Sequence, residues 1–255
     1  MAERNEKYTI AECAELPSKG LVYEEKVNPL VELRSMTARD EMKRLAPSPS
    51  KFKVLSDIIE GCMVEKPAVH VYDMCLGDYQ YLLHKLRIIT YGPEYKMLVQ
   101  CQSCEHVFEA TTNLEQLAIK EFDQEKFNAL QTFELPISRS VIKIKMQTPR
   151  LLDQIDSKVK TLQRQVKVQD IDFNTFATLM LCIESVDGEE LEPMKLENFI
   201  NRLPARDMQK ILQNIDELSE TVGLDQSLIV DCPNCHGEVK TFFRFGPEFF
   251  RPTTI

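Results

Sequence analysis

Two short motifs constrain this chain more than any other feature: Cys101-Gln102-Ser103-Cys104 and Cys232-Pro233-Asn234-Cys235. A Cys-x-x-Cys turn offers two thiolates to one ion, and a structural zinc takes four ligands in a tetrahedron. Two such turns complete the set. Each pair also sits between apolar runs, Leu98-Val99 and Val107-Phe108 for the first, Ile229-Val230 and Val239 to Phe242 for the second. That flanking predicts a strand, a knuckle and a returning strand, the shape of a zinc ribbon. The separation is the difficulty. Residues 105–231 lie between Cys104 and Cys232, 127 in all, whereas ribbon pairs stand about 15–20 apart. Spacing alone does not bring the pairs together.

An internal repeat does. The first part runs Glu15-Leu16-Pro17, strand, Thr37 helix cap, helices, Gly77-Asp78 helix, Gly92, apolar triplet, Cys-x-x-Cys. The second runs Glu134-Leu135-Pro136, strand, Thr148 cap, helices, Arg206-Asp207 helix, Gly223, apolar triplet, Cys-x-x-Cys. Asp78 precedes Cys101 by 23 residues, and Asp207 precedes Cys232 by 25. Repetition in the same order is the mark of a tandem duplication. The reading divides the chain into 1–133 and 134–255, two repeats in one intertwined globular unit. Their knuckles meet across a pseudo-twofold axis, and Cys101, Cys104, Cys232 and Cys235 share one Zn2+. Such a site has no open coordination position and is structural. His106 and His236 stand beside the pairs as alternative ligands. Four buried, metal-free thiols and a redox pair are the competing readings. The redox reading needs a βαβ context, and neither pair opens a helix.

The expected fold class is α+β and helix-rich, each repeat ending in a β-hairpin that carries its knuckle. Apolar periodicity predicts helices over 52–63, 78–89, 151 to about 166, 173–183, 196–200 and 205–221. Residues 113–127 read as one helix or two. Val31-Glu32-Leu33-Arg34 and 141–145 alternate as strands, and the turn after Glu15 reads as entering a strand. Eight glycines in 255 residues favour helix.

Composition is 43% hydrophobic and 28% charged, which excludes a disordered chain. The polar start and the absence of a long apolar run predict a protein kept in the cytosol, with no membrane partner. The net charge of −9 argues against a nucleic-acid partner, which needs a basic patch. Lys158, Lys160, Arg164 and Lys167 form the only local candidate. A zinc-ribbon nucleic-acid-binding or transcription-related module is nevertheless the alternative function, since it uses the same cysteines. No phosphate loop, dinucleotide fingerprint, zinc-protease helix or nucleophile elbow occurs. With four histidines and no paired carboxylates in a pocket-like context, no enzyme is expected. Cys13, Cys62, Cys75 and Cys182 read as buried small side chains.

Phe242 to Pro252 places five phenylalanines within nine residues. Phe249, Phe250 and Arg251, beyond Gly246-Pro247, are candidates for binding a protein partner, because aromatic and Arg side chains dominate interface energetics. Filling of the core is the other reading.

An ordered set of short words runs through residues 12–252. It comprises Leu16-Pro17-Ser18-Lys19-Gly20, Arg34-Ser35-Met36-Thr37, Leu86-Arg87, Thr90-Tyr91-Gly92-Pro93-Glu94-Tyr95, the two cysteine pairs and Phe249-Phe250-Arg251-Pro252. In that order they make the chain resemble the baseplate hub and hub-assembly proteins of T4-type contractile-tailed phages. The resemblance implies a part in building the tail hub, as a built-in subunit or an assembly factor. It implies other hub or tail proteins as partners, location in the virion baseplate or in the host cytoplasm during assembly, and no catalytic residues.

Overall fold

Thr37 starts the first helix through a reciprocal cap. Its hydroxyl accepts from the Asp40 N–H, and the Asp40 carboxylate accepts from the Thr37 N–H at 3.0 Å. Arg34 holds the same carboxylate at 2.9 Å. The computed structural model describes residues 10–165, 171–243, 245 and 249–250. Ahead of that helix, β1 (Ala11–Glu15) and β2 (Leu30–Arg34) pair antiparallel with Ala14 opposite Val31. Helices α1 (Ala38–Leu45), α2 (Lys51–Cys62) and α3 (Leu76–Tyr91) follow. Gly92, at φ 85°, ends α3 where a side chain would be strained.

Strands β3 (Glu94–Gln100) and β4 (Val107–Asn113) form the next hairpin, and α4 (Gln124–Gln131) follows it, capped by Asp123. A three-stranded sheet comes next, ordered β5 (Thr132–Glu134), β6 (Val141–Ile144), β7 (Ile183–Val186). Between β6 and β7 lie α5 (Pro149–Gln165) and α6 (Phe173–Cys182). The chain then runs through α7 (Pro193–Arg202) and α8 (Ala205–Ser219) into the hairpin β8 (Ser227–Asp231) and β9 (Glu238–Phe242). The fold is a mixture of helices with small antiparallel sheets. Among the described residues no helix is long and apolar enough to cross a membrane.

Two expectations need correction. The strand beside Glu15 precedes the Leu16 turn instead of following it. Asn113 closes β4 opposite Glu94, and the helix or helices expected over 113–127 reduce to a single turn and to α4, which starts only at Gln124. Only a short 3-10 turn (Leu114–Gln116) separates β4 from the irregular segment before α4.

The buried side chains gather in three clusters. Leu16, Leu33, Ile59, Leu82 and Leu86 form the first, together with Leu224, Phe243, Phe249 and Phe250 from the end of the chain. Leu135, Ile142, Ile144, Phe173, Leu179 and Ile211 belong to the second. The third lies between the two hairpins. Polar links join the regions. The Tyr72 hydroxyl donates to Asp153 of α5 at 2.9 Å, and Arg150 of α5 pairs with Asp73 and covers the Tyr72 ring. Ile119 bridges to Leu224, with the Asp225 N–H donating to the Ala118 carbonyl at 2.7 Å.

Two buried aspartates pin the Leu-Pro turns. Asp78, third residue of α3, accepts from the Ser18 N–H at 2.9 Å, from the Ser18 hydroxyl and from Tyr23. Asp207, third residue of α8, accepts from the N–H groups of Ile137 and Ser138 at 2.8 and 2.9 Å. Burial pushes the Asp78 carboxyl up, against the pull of its donors.

Gly77 sets the approach of α3 to the loop after α8. A Cβ there would lie 2.3 Å from the Val222 carbonyl oxygen, so only glycine fits. Gly77→Ala is expected to cost about 1–3 kcal/mol, as overpacking against backbone does. Denaturant unfolding checks this, with Gly61→Ala, where nothing lies within 4 Å of the added carbon, as the control.

Candidate metal centre

Hairpin β3–β4 closes with Gln100 opposite Val107, and hairpin β8–β9 with Asp231 opposite Glu238. The two knuckles repeat one hydrogen-bond pattern. The Cys101 N–H donates to the His106 carbonyl and the Glu105 N–H to the Cys101 carbonyl, both at 2.9 Å. The Cys232 N–H donates to the Gly237 carbonyl at 3.0 Å and the His236 N–H to the Cys232 carbonyl at 2.9 Å. Each loop turns back through a left-handed residue directly after its second cysteine, Glu105 at φ 58° and His236 at φ 55°. Glycine is the residue suited to that conformation. Glu105→Gly and His236→Gly are therefore expected to raise stability by up to about 1 kcal/mol each, the left-handed strain being partly offset by glycine's greater freedom when unfolded. Thermal unfolding of each variant tests it.

The hairpins bring all four thiols together. The four Sγ atoms lie within 4.8 Å of one another. Cys101 to Cys235 and Cys104 to Cys232 are each 3.7 Å. With Zn–S bonds of about 2.3 Å, the edge of a tetrahedron of sulfurs is about 3.8 Å. The spacing therefore suits a tetrahedral thiolate site, and the four cysteines could hold one metal ion. Cys101 and Cys232 are buried, Cys104 is half-buried and Cys235 is exposed. Val99, Ala110 and Val239 pack with the two buried cysteines, so the centre has an apolar floor.

The surrounding donors favour thiolates. The His106 N–H, then the Asn234 side-chain amide, hold the Cys104 thiol down at about 6. The N–H groups of Cys104 and Ser103 lower Cys101. At Cys235 the Gly237 N–H pulls down, but the crowding sulfurs of Cys104 and Cys101 win and push it up to about 12. Hydrogen bonds to the neighbouring sulfurs thus hold a proton on Cys235, and a cation at the centre would take that proton's place.

His106 and His236 do not enter the cluster of ligand atoms. Both are exposed, and the His106 ring stacks on Phe108. Asn234 is the residue the motif reading passed over. Its amide lies 3.6 Å from the Cys104 Sγ, and its place between two of the clustered cysteines is the signal that could have found it. Phe249 and Phe250 are only 1% and 3% exposed and belong to the first core cluster. Arg251 lies outside the described residues, as does Lys167 of the basic stretch.

A family model described as T4 bacteriophage base plate protein matches residues 7–251. Neither the curated proteins nor the solved structures gave a match.

Proposed function

Because the chain belongs to the T4 bacteriophage base plate protein family, we propose that it is a structural or assembly component of the hub of a contractile-tail baseplate, working through protein–protein contacts and carrying a structural zinc. The observation that carries the zinc is the convergence of four thiols, from knuckles 127 residues apart, at tetrahedral spacing. Cys101, Cys104, Cys232 and Cys235 would hold the ion. It would supply cross-linking and charge neutralisation, and no reactive position.

We also propose that the chain is a tandem duplication, 1–133 and 134–255. Three parallels support this. The residue after each Leu-Pro donates its N–H to an aspartate at the third position of a later helix, Ser18 to Asp78 and Ile137 to Asp207. The knuckles share bonds and left-handed residues. The Thr37 hydroxyl accepts from the Asp40 N–H, and the Thr148 hydroxyl from that of Leu151, each three residues on. The aromatic end of the second repeat completes the first apolar cluster, so the repeats would be intertwined.

Elemental analysis, native mass and thiol counting on the purified protein test the zinc. One zinc per monomer is expected, with four thiols shielded until a chelator is added. Freely titrating thiols and no metal would overturn it. Proteomics of purified particles separates the two hub roles. Presence at fixed stoichiometry means subunit, and absence with failed hub assembly in a deletion means assembly factor.

A further inference from the structure

A groove of about 680 Å³ opens beside α2 and α3. Its size falls among ligand-binding sites, which run to roughly 300–1,000 Å³. Its walls are largely apolar and include Leu55, Leu83, Leu152 and Phe250.

Three polar features point to what it takes. Tyr79 lines the groove, is 2% exposed, and its hydroxyl has no hydrogen-bond partner. Leaving a buried hydroxyl unpaired costs about 1–3 kcal/mol. Phenylalanine would avoid that cost, whereas a ligand seated in the groove could supply the partner the hydroxyl lacks. Next to it, the Gln226 side-chain N–H donates to the Gln80 amide oxygen at 3.1 Å. That bond leaves a Gln80 N–H donor and the Gln226 carbonyl acceptor over, the complement of one peptide group. The third feature is charge. Among the described residues of the lining, Arg44 is the one that carries a charge. Two of its nitrogens bond the Glu41 carboxylate, and its guanidinium lies 5.5 Å from the centre of the Phe250 ring. A cation already neutralised gives an anionic ligand nothing to bind.

We propose that this groove receives an uncharged, apolar peptide segment of another tail protein, its backbone held by the Tyr79 hydroxyl and the Gln80–Gln226 pair. The identity of the partner rests on the baseplate reading above; the chemistry of the groove does not.

The test co-expresses the full chain, tagged, with each other tail protein of the same phage, as wild type, as Tyr79→Phe and as Gln80→Ala with Gln226→Ala. Overlapping peptides of any captured protein are then titrated by fluorescence anisotropy. The expected result is one captured protein and one apolar segment that binds. Tyr79→Phe should weaken the segment about ten-fold while leaving the melting temperature unchanged or higher. Capture by wild type and both variants alike would overturn the groove and leave the baseplate reading standing. Failure of wild type to capture any tail protein would overturn both. Dimerisation of the chain itself, weakened by Tyr79→Phe with no segment bound, would replace the partner with a second copy and overturn the proposal.

Discussion

Serine at Cys232 is expected to abolish metal binding and to cost the protein roughly 3–5 kcal/mol, a drop of about 10 °C in melting temperature for a chain of this size. Cys232 is fully buried in the small cluster between the hairpins. A serine hydroxyl neither ionises nor binds zinc as a thiolate does, and three crowded thiols would remain without their cation. Zinc contributes about 10–16 kcal/mol in finger peptides, where it is nearly the whole core. Here two larger apolar clusters persist without it, so the loss is a fraction of that. Cys101→Ser should behave in the same way, and Cys13→Ser, at an exposed isolated thiol, should change nothing. Acidification should release the metal, since protons compete for the thiolates. The variant should still melt in one transition. The Tyr72–Asp153 bond and the Ile119–Leu224 bridge keep the two regions coupled even when the knuckles part. Two resolved calorimetric transitions in Cys232→Ser would contradict a single site shared by interlocked repeats.

What was legible in the sequence was local, or repeated. The Thr37 cap needs only residues 37–40. The knuckles are legible because two cysteines three positions apart, both turned to one centre, need a tight turn, and the apolar residues around them favour strands. Their meeting across the chain has no local signal, and the proposed repeat is the feature of the sequence that points to it. The failures are non-local. Asn113 is strand, not helix, because Glu94 of β3 lies opposite it. Nothing within residues 113–127 announces that neighbour. Burial of charge was equally hidden. Arg87 sits in a helix whose apolar stripe was plain, and a charged residue there reads as solvated. It is fully buried. Phe249 and Phe250 follow the core-filling reading of the aromatic end, and Arg87 gives that segment a place to attach.

Methionine at Arg87 should therefore be nearly as damaging as loss of the metal. The Arg87 guanidinium donates to the carbonyls of Phe249 and Glu94 at 3.0 Å each, and to that of Gly92. It lies 5.4 Å from the centre of the Tyr91 ring and 6.0 Å from that of Tyr95. Burial works against the charge and lowers the guanidinium pKa, and the carbonyls and ring faces compensate for it. Methionine fills much of the stem's volume but removes the donor of the buried Phe249 carbonyl, worth about 1–3 kcal/mol, together with the two part-buried bonds to Gly92 and Glu94. An overall loss of about 3–4 kcal/mol is expected in urea unfolding. Lysine should not rescue it, since one ammonium cannot reproduce the planar fork that serves three acceptors. Limited chymotrypsin digestion identifies the cause. If Arg87 is the anchor, cleavage around Phe249-Phe250 should come first and fast in the variant and be slow in the wild type. Uniform cleavage across the chain would mean that Arg87 supports α3 itself. Phe250 also walls the groove beside Tyr79. Release of the aromatic segment should then remove peptide capture with the zinc content unchanged, whereas Cys232→Ser should lose the zinc. The two variants thus separate the clamp between the knuckles from the clamp that closes the core.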